Sequence, residues 1–228
     1  MAHIGTLNEG SLHRQLKELV SEPGDRFEVE LGKYVIDIVR QGELIEIQIG
    51  PLGPLGPKLD ALLDQHDVTV VHPISVSTWL HKDGAPSRRS PIRRSIYNIF
   101  DDLVSIPTLI DHPRFSLEIV LIEEDTMRTY DPTLRRKRGG WRTTDRSMRT
   151  MLGRRRFVTA VELAELIPDS LPDPFTTADL AAAAGITRPV AQRMAYCFRA
   201  LGTFVAGQNT RRGVEYRRSM VAAARADG

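Results

Sequence analysis

The chain has 228 residues, 41% of them hydrophobic and 26% charged, which is enough to bury one good core and two smaller ones. No apolar run approaches the roughly 20 residues of a membrane span, and the opening MAHIGTLNEG is neither a basic nor an apolar leader. A single cysteine, Cys197, excludes internal disulfides and cysteine-type metal clusters, so the expected setting is the cytoplasm, with no membrane partner.

A helix is expected from about Asn8 to Val20, with Leu12, Leu16 and Leu19 as its apolar stripe and Glu9 on the same stripe. A strand follows the Pro23-Gly24 turn at Arg26–Leu31. Next, YVIDIVRQGELIEIQI (34–49) reads as two strands joined at Gln41-Gly42. A two-residue turn pairs Arg40 with Glu43 and Val39 with Leu44, and brings Asp37 opposite Glu46. Ile36, Ile38, Ile45 and Ile47 then form a buried face. Two carboxylates facing each other destabilise a hairpin by roughly 0.2–1 kcal/mol, which points to a cation between them. PLGPLGP (51–57) leads into a helix ending near His66 with Leu59, Leu62 and Leu63 inward, and then into the strand VTVVHPI.

Residues 82–95, KDGAPSRRSPIRRS, are polar, basic and proline-bearing, and a boundary is placed there. Beyond it come a helical stretch from Ile96 to about Ile110, the strand FSLEIVLIE, and a hairpin with arms MRTY and WRTT and the tip TLRRKRGG. This middle part stands either as a winged-helix relative of its own or as an extension of the first domain. The expected domains are 1–84, 85–157 and 158–228.

The net charge of +2 hides an asymmetry: residues 1–87 hold 7 Lys+Arg against 13 Asp+Glu, and residues 88–228 hold 24 against 16. The basic character is densest from Arg128 to Arg156. Arg135, Arg136, Lys137, Arg138 and Arg142 are candidates for phosphate contact, because guanidinium forks match phosphate geometry and produce salt-dependent nucleic-acid affinity; the alternative for any such run is solvated charge. Trp141 and Tyr130 lie among them, either to stack on an unpaired base or to anchor the hairpin.

From Phe175 the chain reads as a helix capped by Thr176 or Thr177, a turn at Gly185, and a second helix capped by Thr187 with Pro189 in its first turn. Leu180, Ala184, Ile186 and Met194 take the apolar positions. TFVAGQNTRRGVEYRR follows as a hairpin with Arg211 and Arg212 at its tip. The unit resembles a winged helix-turn-helix, in which Arg188, Gln192 and Arg193 would face the DNA major groove; winged helices also serve as protein-docking modules.

The order α-β-β-β-α-β over Asn8 to Ile74, with acids at Glu9, Asp37 and Glu46 and the triplet Glu46-Ile47-Gln48, resembles the PD-(D/E)xK nuclease superfamily, closest in layout to its small Holliday-junction-resolvase and restriction-endonuclease-like members. The resemblance implies an α/β fold, Mg²⁺ or Mn²⁺ bound by Asp37, Glu46 and the carbonyl of Ile47, and Glu9 as an accessory acid. Gln48 departs from the pattern, since the family has lysine there. Lys58 and Lys33 are the candidates to supply the missing ammonium. No phosphate-binding G-x-x-x-x-G-K-[ST] loop, G-x-G-x-x-G or G-x-S-x-G is present, and the histidines lack zinc-finger spacing.

Three functions follow as expectations. The first is a metal-dependent DNA endonuclease acting in repair, recombination or defence, with Asp37, Glu46, Gln48, Glu9 and Lys58 as its catalytic set. The second is a non-catalytic DNA-binding or regulatory protein in which the nuclease-like domain is a scaffold or homodimerisation unit, and the third is a protein-interaction adaptor.

Overall fold

The computed structural model describes residues 10–134 and 138–219. Its mixed α/β chain divides into two compact units that interleave along the sequence. Of the described residues, the first contains those up to Gly50, His66–Ile96 and Glu118–Arg155; the second contains Pro51–Gln65, Tyr97–Leu117 and those from Arg156 on. Residues 85–157 are thus shared between the two.

The first unit opens with α1 (Ser11–Val20), followed by β1 (Arg26–Leu31), β2 (Tyr34–Arg40) and β3 (Glu43–Ile47). After an excursion through the second unit come β4 (Val68–Lys82) and β5 (Ala85–Arg89), and later the long strands β6 (Phe115–Tyr130) and β7 (Trp141–Phe157). The sheet order is β1-β2-β3-β4-β6-β7, with β5 paired to β4 off this path. β3 and β4 run parallel, Leu44 beside Val68 and Ile47 beside Val71, while β1-β2 and β2-β3 are antiparallel.

The β2-β3 register is Arg40 with Glu43, Val39 with Leu44 and Ile38 with Ile45. Its turn has positive φ at both central residues, 48° at Gln41 and 99° at Gly42, the backbone that suits the twist of a two-residue hairpin. Ile38, Ile45 and Ile47 are buried and pack with Leu12, Leu16 and Val20 of α1, Val71 of β4, and Val120 and Ile122 of β6.

Polar contacts fix α1 at both ends. The carboxylate of Asp145 on β7 accepts from the Ser11 backbone N–H and hydroxyl, serving the helix start that Gly10 leaves without a side-chain cap. Arg40 holds the other end, donating to the Val20 carbonyl and, in a bidentate pair, to Asp25. The helix therefore reaches both β7 and the β1-β2 side of the sheet.

Three elements differ from the sequence reading. The strand expected to end at Ile74 continues to Lys82, and part of the stretch read as a boundary returns as β5, pairing Leu80 with Arg88. FSLEIVLIE and MRTY are one 16-residue strand rather than a strand and a hairpin arm. The helix expected over 96–110 is only a turn of 3-10 helix at Ile96–Ile99, then α3 (Phe100–Leu103) and a further 3-10 turn at Leu109–Asp111. Pro107 has no N–H to continue the helix and disfavours helical backbone at Ile106.

In the second unit, α2 (Gly56–Leu63) and α3 join α4 (Ala160–Ala164), β8 (Phe175–Thr176), α5 (Thr177–Ala184), α6 (Arg188–Ala200), β9 (Phe204–Thr210) and β10 (Gly213–Arg218). Its three-stranded sheet runs β8-β10-β9. Phe198 of α6 packs against Phe100 at 5.3 Å and Phe204 at 5.1 Å, and Phe204 against Phe175 at 4.8 Å, giving an aromatic core. Thr176 and Asp179 form a complete capping box at the start of α5, and Gly185 ends that helix with φ 63°.

Gln41 occupies a backbone region that costs an L-residue about 1–2 kcal/mol. Gln41→Gly is expected to relieve more strain than the backbone entropy it adds and raise the thermal midpoint by about 2–4 °C, measured by circular dichroism; an unchanged or lower midpoint would show that the strain at Gln41 does not exceed that entropy.

Candidate functional site

The hairpin carboxylates sit in a cluster on the first unit, supplied by α1, β1, β2 and β3. The β2-β3 ladder ends at Ile38 and Ile45, one residue short of Asp37 and Glu46. There the Asp37 carboxylate takes over from the backbone, its Oδ2 accepting the Ile47 N–H at 2.8 Å. Two side chains of α1, one turn apart, face the same carboxylate: His13 Nε2 lies 3.4 Å from Oδ2, and Lys17 Nζ lies 3.7 Å from Oδ1. Lys17 is only 9% exposed and also pairs with Glu28. Glu28 falls between the registered pairs Phe27–Ile38 and Val29–Ile36, next to Asp37 across the β1-β2 ladder, with φ 49°. A non-glycine residue held there stores strain, and here the strained residue carries the second carboxylate for the buried ammonium.

Burial alone would raise the Asp37 carboxyl. The hydrogen bonds from His13 and the Ile47 N–H, with the positive charges of His13 and Lys17, outweigh it and hold the group below its ordinary value. Glu46 is 6% exposed on β3, beside Val70 of β4. Gln48 donates its N–H to the Val71 carbonyl, and its own carbonyl accepts from His72 Nδ1 at 2.8 Å, which fixes that imidazole's tautomer.

Of the two lysines expected to supply the ammonium that Gln48 lacks, Lys33 is exposed at the β1-β2 turn with Nζ 5.2 Å from the centre of the Tyr34 ring. Lys58 lies on α2 in the other unit. The ammonium beside Asp37 belongs to Lys17 instead, and sequence reasoning passed over Lys17, His13 and Glu28. The available signal was the i, i+4 spacing of His13 and Lys17 alongside Leu12 and Leu16, which turns both toward the sheet. Glu9 lies outside the described residues. Among those residues no group of three His, Cys, Asp or Glu comes together as a metal site. Both Asp37 oxygens already face positive groups, so the described donors by themselves do not fit a hard divalent cation, which takes six or more oxygens including water.

The proposed DNA-contacting residues separate into groups. Arg135, Arg136 and Lys137 lie outside the described residues, and nothing is described of the Arg138 side chain. Beside them Arg142 is exposed, and the hairpin is anchored by Tyr130 edge-on to Trp141 at 5.7 Å, with Lys82 Nζ 4.3 Å over the Trp141 ring. Gly140, at φ 81°, passes so close under Tyr130 that a Cβ would stand 2.5 Å from its ring. On α6, Arg188, Gln192 and Arg193 are exposed, but Arg193 is bound to Asp101 at 2.8 Å. At the tip of β9-β10, Arg211 is exposed while Arg212 is bound to Asp179 at 2.6 Å. Cys197 is buried, its thiol pushed up to about 12 by desolvation, which suits packing and not nucleophilic work.

His81 Nε2 lies 2.6 Å from Asp125 and its Nδ1 2.7 Å from the Ser87 hydroxyl. Asp125 also receives Arg149 at 3.3 Å, and Ser87 is exposed on the short strand β5. This is a polar chain that runs from β5 and β4 to β6 and β7.

Asp37→Asn tests the cluster through pH. A depressed carboxyl contributes stability that is present above its unfolded value, about 3.9, and is lost as pH falls through the lower folded value. The variant is expected to be less stable than wild type at pH 7, by about 1–3 kcal/mol, with the difference shrinking as pH falls below about 4. Parallel urea titrations across pH check this, and a difference that stays constant to the acid end would remove the assigned ion pairing.

A family model described as Domain of unknown function (DUF8091) matches residues 10–158, from the start of α1 to just past β7. An uncharacterized protein of Treponema pallidum (strain Nichols) is 34% identical over 184 residues, covering 78% of this chain and 73% of that protein. No solved structure matches, and among the described residues no helix is long and apolar enough to cross a membrane. The family match takes in well over half of the chain and every described residue of the first unit, so the chain belongs to the DUF8091 family.

Proposed function

We propose that this protein binds DNA through the phosphate backbone, with α5, α6 and the β9-β10 hairpin working as a winged helix-turn-helix and the first unit as a PD-(D/E)xK-like scaffold. The observation that carries the reading is the two-sided character of α6. Val190, Ala191, Met194 and Phe198 are buried, while Arg188 and Gln192, one turn apart at its start, are exposed. A recognition helix reads bases from its N-terminal turns, and arginine and glutamine there match guanine and adenine edges. Arg193 and Arg212 are held by Asp101 and Asp179, which leaves Arg188, Gln192 and Arg211 as the side chains best placed to reach DNA.

Fluorescence anisotropy of labelled duplexes at rising salt tests this. Neutralising Arg135, Arg136 and Arg138 together is expected to lower the log-log salt slope by about 2–3, at roughly 0.9 for each phosphate left without its cation. Arg188→Ala or Gln192→Ala is expected to change preference among sequences by about 1–3 kcal/mol at the affected base pair. Absent or salt-insensitive binding would sink the reading in favour of a protein-docking role.

Metal-dependent phosphodiester cleavage is the second reading, favoured by Lys17 standing 3.7 Å from Asp37 where Gln48 supplies no charge. It requires Mg²⁺ or Mn²⁺ and a further acid, for which Glu9 is the candidate. On this reading Asp37→Asn and Glu46→Gln abolish cleavage of branched or nicked DNA with binding intact, and Lys17→Met lowers the rate about 10²–10³-fold. No cleavage of duplex, single-stranded or branched DNA by the wild type removes it.

A further inference from the structure

The first unit contains a cavity of about 760 Å³ bordered by β4, β5, the 90–94 segment, β6 and β7, in the size range of small-molecule sites. Four arginines line it: Arg88, Arg94, Arg128 and Arg146. The carboxylate among its lining residues, Glu124, is 3% exposed and already engaged. Arg146 donates to both its oxygens, at 2.9 and 2.6 Å, and the hydroxyls of Ser75 and Thr126 donate to it as well. Arg146 is thereby neutralised and acts as part of the wall.

The other three guanidiniums form no ion pair with any described residue, and the buried Nε–H of Arg128 has no hydrogen-bond partner among them. A buried donor left unmatched costs about 1–3 kcal/mol, and three like charges lining one cavity repel one another. The backbone nevertheless holds them in place. Arg88 is registered against Leu80, the 90–94 segment is pinned to β4 by Ser90 N–H to the Thr78 carbonyl and Arg94 N–H to the Val76 carbonyl, and the Arg128 carbonyl accepts from Asp83. An anion with several oxygens resolves the arrangement, and planar forks favour phosphate. The cavity exceeds what a bare phosphate needs, and Leu80, Pro91 and the 65%-exposed Ile92 offer apolar surface beside the charges.

We propose that this cavity binds a nucleotide, its phosphate held by Arg88, Arg94 and Arg128 and its base against Leu80, Pro91 and Ile92. The same chemistry is carried by a free nucleotide and by the phosphorylated end of a strand. The site is built without α6, so it stands apart from the DNA reading above.

The test is calorimetric titration of the full chain with AMP, inorganic phosphate, and a short single strand with and without a 5′-phosphate. AMP or the phosphorylated strand is expected to bind at least tenfold more tightly than inorganic phosphate or the unphosphorylated strand; preference for AMP assigns the free nucleotide, and preference for the strand assigns its end. Arg88→Gln/Arg94→Gln, which alters two exposed side chains, is expected to weaken that binding at least tenfold with an unchanged circular dichroism spectrum, and Arg128→Gln to do the same. No binding of any probe, inorganic phosphate binding as tightly as AMP, an acidic peptide displacing AMP at equal concentration, or wild-type affinity in the Arg88/Arg94 variant would each overturn the proposal. Arg188→Ala/Gln192→Ala distinguishes the two ideas, because it is expected to impair duplex binding and leave AMP binding as in the wild type.

Discussion

Burial of the Lys17 ammonium sets the terms on which α1 can dock. An ionised group removed from water is tolerated only with close counter-charges, and Lys17 finds them in Glu28 of β1 and Asp37 of β2. That fixes the rotation of the helix: Leu12 and Leu16 supply the apolar contact with Ile38, Ile45 and Ile47, and the ammonium selects the one orientation in which it is satisfied. Asp145 and Arg40 hold the two ends in the same sense. The strained backbone at Glu28 is consistent with a residue positioned for its charge and not for its place in the ladder.

What the sequence reveals and what it conceals divide along local and tertiary causes. The hairpin register, the Gln41-Gly42 turn, the Thr176 cap, the Gly185 stop and the Arg211-Arg212 tip all follow from neighbours within a few residues, and alternation of isoleucines fixes which face is buried. The Asp37 environment depends on where α1 lands, so an ammonium sought among the residues flanking the hairpin and on α2 comes instead from the preceding helix. The polar lengths of β4 and β6 escaped because Ser75–Lys82 and Thr126–Tyr130 show no clean apolar alternation; β4 is held beside β6, whose contacting residues lie more than 40 positions away and leave no local mark.

A charge count treats the 26 arginines as one population, and the fold does not. Arg40, Arg146, Arg193 and Arg212 are bound to carboxylates and work as struts, which reduces their contribution to any long-range field. Arg88, Arg94 and Arg128 are held by backbone hydrogen bonds and form no ion pair with any described residue, and guanidiniums left unpaired in this way retain their attraction for an anion.

The interleaving of the two units has a consequence for synthesis on the ribosome. The first unit is complete only when the chain reaches Arg155, yet α1 and β1 to β3 are made by Ile47, and β3 must await its parallel neighbour β4 and α1 must await Asp145. Val71, the last β4 partner of β3, follows Ile47 by 24 residues, so at about 5–20 residues per second the edge of β3 waits roughly 1–5 s for its neighbour. During that interval the hairpin is a free strand edge bearing an isoleucine face, so the amount of soluble protein recovered should depend on how quickly the message for β4 is translated.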